Sequence, residues 1–436
     1  MNVETTIDSG RVIRTYIAIV SLYTLSASLI WGVNTLFLLD AGLDIFGVFV
    51  ANSVYTGAMV IFEIPTGVVA DTSGRRTSFL LSTAVLCAGT LGYVAVSLMG
   101  GGLLWFCIMS VFLGLGFALY SGAVEAWLVD ALNAVNYEGE LENVFARAAI
   151  ITNALMLVGT VGGGLLGNLD LAIPYGVRAL LLAIVTIWAY IFMHDIGYAP
   201  RALTAAAIPA EMRKVARESV AFGWRKQPVR LIMIVSFIHG LYFIWGFYAA
   251  QPYLLDLLNR PDAIWVSGVV AALVSISMMF ASWLLNRFVN RFRFRTTLLV
   301  AAAGLLSVST IGVGLAQTFW LAVPLFLLGT LAFGIIMPVK QAYLHKIIPS
   351  AQRATVISFN NMLDSAGGVV GQTGLGYLSR QQDIATGYVT GGAATILALP
   401  ILFLLRRMDE PADRITSRGK APEAGDLRTG ELEIGD

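Results

Sequence analysis

Apolar residues run in long stretches along this chain, and polar residues gather in the gaps between them. A helix needs roughly 20 apolar residues to cross a bilayer. Twelve stretches have about that length: residues 13–38, 44–70, 78–99, 102–128, 147–167, 176–197, 229–256, 263–287, 296–316, 319–345, 354–378 and 384–405, here spans 1 to 12 in order. The pattern predicts an all-α integral membrane protein with twelve transmembrane helices.

Composition agrees. The chain is 57% hydrophobic and 13% charged, with mean hydropathy +0.77, whereas soluble domains carry about 25% charged residues. The net charge is only +1; no nucleic-acid partner is expected, and the placement of charge is what informs. Of the 28 Lys and Arg, all but Arg178, Arg260, Arg380 and Lys340 fall on one side when the N-terminus starts in the cytoplasm. By the positive-inside rule, this predicts a multi-pass protein of a bacterial-type inner membrane with both termini cytoplasmic. Arg178, Arg260 and Arg380 go to the outside, and Lys340 lies within a span. Cys87 and Cys107 fall in spans and read as packing residues, without metal or disulfide spacing. The first span is too long for a signal peptide.

The chain repeats itself. Ile30-Trp31-Gly32 recurs as Ile244-Trp245-Gly246, Leu38-Leu39-Asp40 as Leu254-Leu255-Asp256, and Arg76-Thr77-Ser78 as Arg295-Thr296-Thr297, each about 215 positions on. Two pseudo-symmetric six-helix bundles are expected, residues 1–197 and 229–407. Between them, 198–228 is a basic linker whose stretch Glu211 to Arg217 reads as an amphipathic helix on the membrane surface. Residues 408–436 read as a disordered cytoplasmic tail. Parallel repeats of this kind place a substrate site between the halves near the midplane.

The loop after span 2 reads Gly67-Val68-Val69-Ala70-Asp71-Thr72-Ser73-Gly74-Arg75-Arg76. It resembles the G-x-x-x-D-x-x-G-R-R/K signature of the major facilitator superfamily. Pro349 to Thr355 and Ser121 to Trp127 resemble the drug-efflux-like branch. Gly67 would allow close helix approach, Asp71 would complement a helix N-terminus, and Gly74 would permit a tight turn. Arg75 has Asp130 at the end of span 4 within reach. The resemblance implies that Gly67, Asp71, Gly74, Arg75, Arg76 and Asp130 form a latch between the halves. The second half carries Asn286 and Ser282 where the first has Asp71 and Gly67, so the latch is expected on one side only. The antiporter signature of span 5 keeps its glycines, Gly159 to Gly167, but lacks the proline.

Few ionisable groups lie inside spans, where they are costly and usually functional. Glu63 shares a helix face with Gly67 and Asp71. It reads as a gate residue or protonation site. Asp364, near mid-membrane, is the first candidate for the coupled proton. Glu125 and Lys340 are 215 positions apart, which puts them at equivalent depths and makes an inner ion-pair gate. Lys340 could instead pair with Asp364, on the adjacent span. Trp31, Asn34, His239, Tyr242, Trp245 and Tyr248 are expected to line a substrate cavity suited to apolar or cationic aromatic ligands.

There is no nucleophile elbow, metal-ligand cluster or P-loop, so neither catalysis nor a cofactor or metal is expected. The reading is a monomeric secondary transporter working by alternating access in the lipid bilayer. Its partners are a small-molecule substrate and protons. Proton-coupled efflux of hydrophobic or cationic small molecules leads, ahead of a metabolite importer or symporter; a non-transporting receptor on the same scaffold comes third.

Overall fold

The computed structural model describes residues 8–198, 210, 213, 217, 219–349 and 352–415. Among them the chain is almost wholly helical. The first half is built from Ser9–Ser28 with Asn34–Asp40 (span 1), Ile45–Ser73, Arg75–Leu98, Leu103–Tyr120 with Ala123–Ala134 (span 4), Leu141–Gly167 and Ile173–Phe192. The second is built from Gln227–Leu258, Ile264–Phe288, Arg295–Leu315, Phe319–Ile347, Arg353–Gln381, and Ile384–Ile396 with Ala398–Arg407 (span 12).

Ten helices among the described residues are long and apolar enough to cross a membrane. The two expected spans that fall short do so for separate reasons. Span 1 is interrupted at residues 29–33. Span 11 is continuous but carries Asn360, Asn361, Asp364, Ser365, Gln372 and Thr373. Both are cavity helices, and their polarity is the cost of what they touch.

The halves pack alike. In the first, span 1 lies on spans 5 and 6, span 3 on spans 4 and 6, and span 2 on span 4. Adding six to every number gives the main pairings of the second half. Across the middle, span 2 meets span 11 and span 5 meets span 8, which are exchanged by the same two-fold relation. These crossings are close because they are made by glycines: a Cβ on Gly268 would press on Thr160 O and on Gly164 Cα, and one on Gly32 would press on Gly268 Cα. Backbones can approach this closely only where side chains are absent.

Two expectations about the ends of elements change. Span 6 begins at Ile173 with Pro174 in its first turn, so Arg178 is inside the helix and not in an outer loop. It is 8% exposed and its Nε donates to Thr90 Oγ1 at 3.2 Å. The expected disordered tail is ordered at its start. Asp413 is buried and accepts from Thr296 N at 2.7 Å and Thr296 Oγ1 at 2.6 Å, while Arg295 Nη1 donates to the carbonyls of Ala412 and Arg414. Satisfying the free N–H groups at the start of span 9 fixes the segment to Ile415. The expected amphipathic linker helix lies largely outside the described residues.

Candidate functional site

A cavity of about 660 Å³ lies between the halves. Spans 1, 2, 5, 7, 8 and 11 line it. Its walls are apolar and soft: Trp31, Tyr55, Phe243, Phe247 and Tyr248 supply rings, and Met59, Met156, Met278 and Met279 supply flexible thioethers. The polar atoms come from Asn52, Thr56, Asn153, Ser275, Ser282, Ser365 and Gln372. No Asp, Glu, Lys, Arg or His is among the lining residues. The size suits a drug-sized ligand.

Of the expected cavity residues, Trp31 and Tyr248 line it. Asn34, His239, Tyr242 and Trp245 do not. On span 7 the cavity stripe is Phe243, Ile244, Phe247 and Tyr248, one face at i, i+1, i+4 and i+5. Tyr242 and Trp245 lie on other faces of the same helix, and His239, one turn before Phe243, lies beyond the cavity lining. Trp245 is buried against Phe49 and Tyr388. Tyr242 packs edge-on to Tyr388. His239 is fully buried, and neither ring nitrogen has a hydrogen-bond partner. Asn34 sits one layer behind the wall, donating through Nδ2 to Asn52 Oδ1 at 3.1 Å and accepting from Tyr175 at 2.9 Å.

The end of the molecule away from the basic loops is sealed. The unwound turn of span 1 frees backbone groups that the second half takes up. Gln251 Nε2 donates to the Trp31 carbonyl at 2.7 Å, and its Oε1 accepts from Thr35 N at 2.8 Å. Thr35 Oγ1 donates to the Tyr248 carbonyl at 2.9 Å, and Ser267 Oγ donates to the Gly32 carbonyl. Asp44, which caps span 2, pairs at 2.9 Å with Arg380 in the last turn of span 11. At the basic end the halves part. The cavity extends along span 8 to the exposed Ser282, and Glu63 and Gly67 on span 2 are exposed. Glu63 Oε1 accepts from Ser358 Oγ of span 11 at 3.1 Å. The structure is open toward the basic face.

The signature loop forms a compact network. Arg75 Nη1 meets Asp71 Oδ1 at 2.6 Å and its Nε lies 3.7 Å from Asp130 Oδ2. These contacts tie spans 2, 3 and 4 together at one end of the first half. Gly67 has no neighbour within 4 Å of a Cβ placed on it, because the face it serves is open here. Gly74 adopts φ +100°, and a Cβ there would collide with Asp195 Oδ2. Asp195, not singled out from sequence, follows span 6 and accepts from Arg76 N at 2.9 Å. Arg76 Nη2 donates to the Tyr190 carbonyl at 2.7 Å. Asp195 and Asp413 thus do the same task at the starts of spans 3 and 9.

Behind the cavity, Lys340 Nζ lies 3.8 Å from Asp364 Oδ1, with side-chain exposures of 1% and 25%. A buried ammonium therefore has as neighbour a carboxylate that is partly open. The contact is looser than a hydrogen bond, and both Lys340 Nζ and Asp364 Oδ1 lack a hydrogen-bond partner. Spans 7 and 11 are pressed together here, since a Cβ on Gly240 would collide with the Asp364 carbonyl. Glu125 is exposed in span 4. The carboxylate beside Lys340 is thus that of Asp364.

The model of the Major Facilitator Superfamily matches residues 16–372 and 290–429. An uncharacterized MFS-type transporter of Bacillus subtilis (strain 168), YxaM, is 21% identical over 377 residues, covering 84% of this chain and 88% of that one. The fold is similar to that of the nucleoside transporter NupG, with TM-score 0.75 at 11% identity, covering 91% of this chain and 99% of that one. It is also similar to the POT family transporter PepTSo, with TM-score 0.68 at 13% identity and coverages of 92% and 99%. With its repeated six-helix halves, its central cavity and its signature loop, this chain belongs to the Major Facilitator Superfamily of membrane transporters.

Proposed function

We propose that the protein is a proton-coupled exporter of small, neutral, hydrophobic molecules working by alternating access. The observation that carries this is the pairing of an uncharged, ring- and methionine-lined cavity with a buried Lys340–Asp364 pair behind it. An anion entering the cavity would lose hydration without a cationic partner, and a cation would find aromatic faces but no carboxylate. A neutral body pays neither cost. Methionines adapt to varied shapes, which suits an exporter of several related compounds.

Coupling is assigned to Asp364. Ionised, it stays beside Lys340; protonated, it releases the ammonium, whose burial then becomes expensive. Span 11 carries Asp364 and also meets span 2 across the halves, so a charge change there acts on the contact that alternating access must remodel. Inverted vesicles given the neutral dye N-phenyl-1-naphthylamine or the cation ethidium in the outer medium test both parts. The wild type should move the neutral dye uphill and stop when the proton gradient is collapsed. Asp364→Asn should lose uphill transport and keep downhill exchange. Uphill transport by Asp364→Asn with unchanged pH dependence would overturn the coupling assignment, and preference for ethidium would overturn the substrate charge.

A further inference from the structure

Two amide groups face the cavity with hydrogen-bonding capacity the protein does not use. Asn52 Nδ2 and Gln372 Oε1 are buried and have no partner. Asn52 is 6% exposed and Gln372 0%, and both line the cavity. They come from opposite halves, spans 2 and 11. A buried unmade hydrogen bond is destabilising, so two of them at one cavity wall call for a ligand.

Which atom is free at each position follows from the neighbours. Gln372 Nε2 reaches the Gly368 carbonyl at 3.1 Å and Thr56 Oγ1 at 3.2 Å. A helical carbonyl only accepts, so the amide nitrogen belongs there and the oxygen is left over. Thr56 Oγ1 in turn donates to the Asn52 carbonyl at 3.0 Å. At Asn52 a relay from Tyr175 leaves the amide nitrogen over. Tyr175 donates to Asn34 Oδ1, and Asn34 Nδ2 donates to Asn52 Oδ1. Asn52 is left with N–H to offer. The wall therefore presents one donor and one acceptor. Asn52 and the Thr56 that holds Gln372 are one helical turn apart, about 6 Å along the axis. Trp31, Tyr55 and Tyr248 supply flat surfaces beside them.

We propose that the transported class is neutral, ring-sized molecules carrying a carbonyl acceptor and an N–H donor on one edge, that is, lactams and cyclic amides. The carbonyl accepts from Asn52 Nδ2, the N–H donates to Gln372 Oε1, and the rings stack. The two amides also sit on the two helices whose contact joins the halves, so a bound lactam ties span 2 to span 11. This rests on the transport reading above and narrows its substrate.

The test is equilibrium binding to the full-length protein in nanodiscs, followed calorimetrically. The probes are uracil, hypoxanthine and 2-quinolone, each beside a counterpart methylated at the lactam nitrogen. At least one lactam should bind tenfold or more tightly than its methylated form. Gln372→Leu should abolish that preference, and Asn52→Leu should weaken both forms about tenfold. Thermal midpoints of both Leu variants equal to wild type in the nanodisc separate lost recognition from misfolding. If every pair binds equally, or if both Leu variants leave the preference intact, the lactam class is wrong. Parallel flux of N-phenyl-1-naphthylamine separates the two readings. Its proton-driven export alongside failed lactam preference overturns the substrate class alone, whereas absence of any driven flux overturns transport itself.

Discussion

The seal away from the basic loops rests on Gln251, and removing it should shift the balance between the two faces by a calculable amount. Its amide makes two hydrogen bonds across the halves, at 2.7 and 2.8 Å, to backbone groups released by the break in span 1. A net value of about 1 kcal/mol each gives about 2 kcal/mol that exists only while this face is closed. At 1.4 kcal/mol per factor of ten, Gln251→Leu should favour the opposite-open state by about 30-fold relative to wild type. Leucine preserves size, so packing against span 1 is largely kept. The remaining contacts, from Thr35, Ser267 and the exposed Asp44–Arg380 pair, stay in place, and exposed pairs contribute under about 1 kcal/mol. Spin labels at Leu169→Cys and Arg260→Cys, with Cys87 and Cys107 changed to Ser, would report the separation of the halves at that face by pulsed electron resonance. The long-distance population should grow strongly in Gln251→Leu. A change of less than about threefold would refute the view that this residue holds the seal.

Other expectations follow from single sites. Gly74→Ala combines a left-handed φ with a collision against Asp195 and should cost about 2 kcal/mol or more, read as a lowered unfolding midpoint in detergent. Asp71→Asn or Arg75→Ala should sharply reduce flux at normal expression, since the ends of spans 2, 3 and 4 lose their common tie; near-normal flux in both would remove the network from the transport cycle. Asp383 caps span 12, and the Thr386 N–H it accepts from holds its carboxyl below the usual range. Its contribution is therefore complete above about pH 4 and is lost as pH falls through the depressed value. The gap in thermal midpoint between wild type and Asp383→Ala should close on acidification. Charge reversal at Glu125 and Lys340 should impair flux singly and recover in the double swap if the two meet when the basic face closes.

The spans and the pseudo-repeat were legible because burial in lipid demands apolar length, and sequence reports that directly. The breaks in spans 1 and 4 were not, since Leu29 to Val33 is no less apolar than its flanks. Which face of span 7 is wet was also hidden. A helix apolar all round has no polar stripe to mark the cavity, so His239, Tyr242 and Trp245 were preferred to Phe243 and Phe247. Asn52 and Gln372 are visible in the sequence as amides inside apolar runs, but an uncharged amide there does not by itself mark a cavity. Lys340 and Asp364 were legible as a possible pair for that reason. Asp195 and Asp413 were not, because each acts on a helix start more than a hundred residues away in sequence.

The geometry of span 11 explains how a proton and a substrate could act on one motion. Asp364 stands between Ser358, which bonds Glu63 of span 2 at the open end, and Gln372, which bonds Thr56 of span 2 at the cavity wall. At 1.5 Å per residue the separations are about 9 and 12 Å, along one uninterrupted helix, Arg353–Gln381. Glycines on the same helix, Gly367 and Gly371, lie directly on the carbonyls of Phe237 and Leu241 of span 7. Span 11 is therefore packed without slack against its own half and hydrogen-bonded to the other. A change in the Lys340–Asp364 contact therefore acts on a helix that also carries both bonds to span 2. The first half carries its Asp71, Arg75 and Asp130 network at the helix ends, and its buried Arg178 is held by Thr90. The division follows: the first half presents a braced surface, and the second carries the titratable group that moves against it.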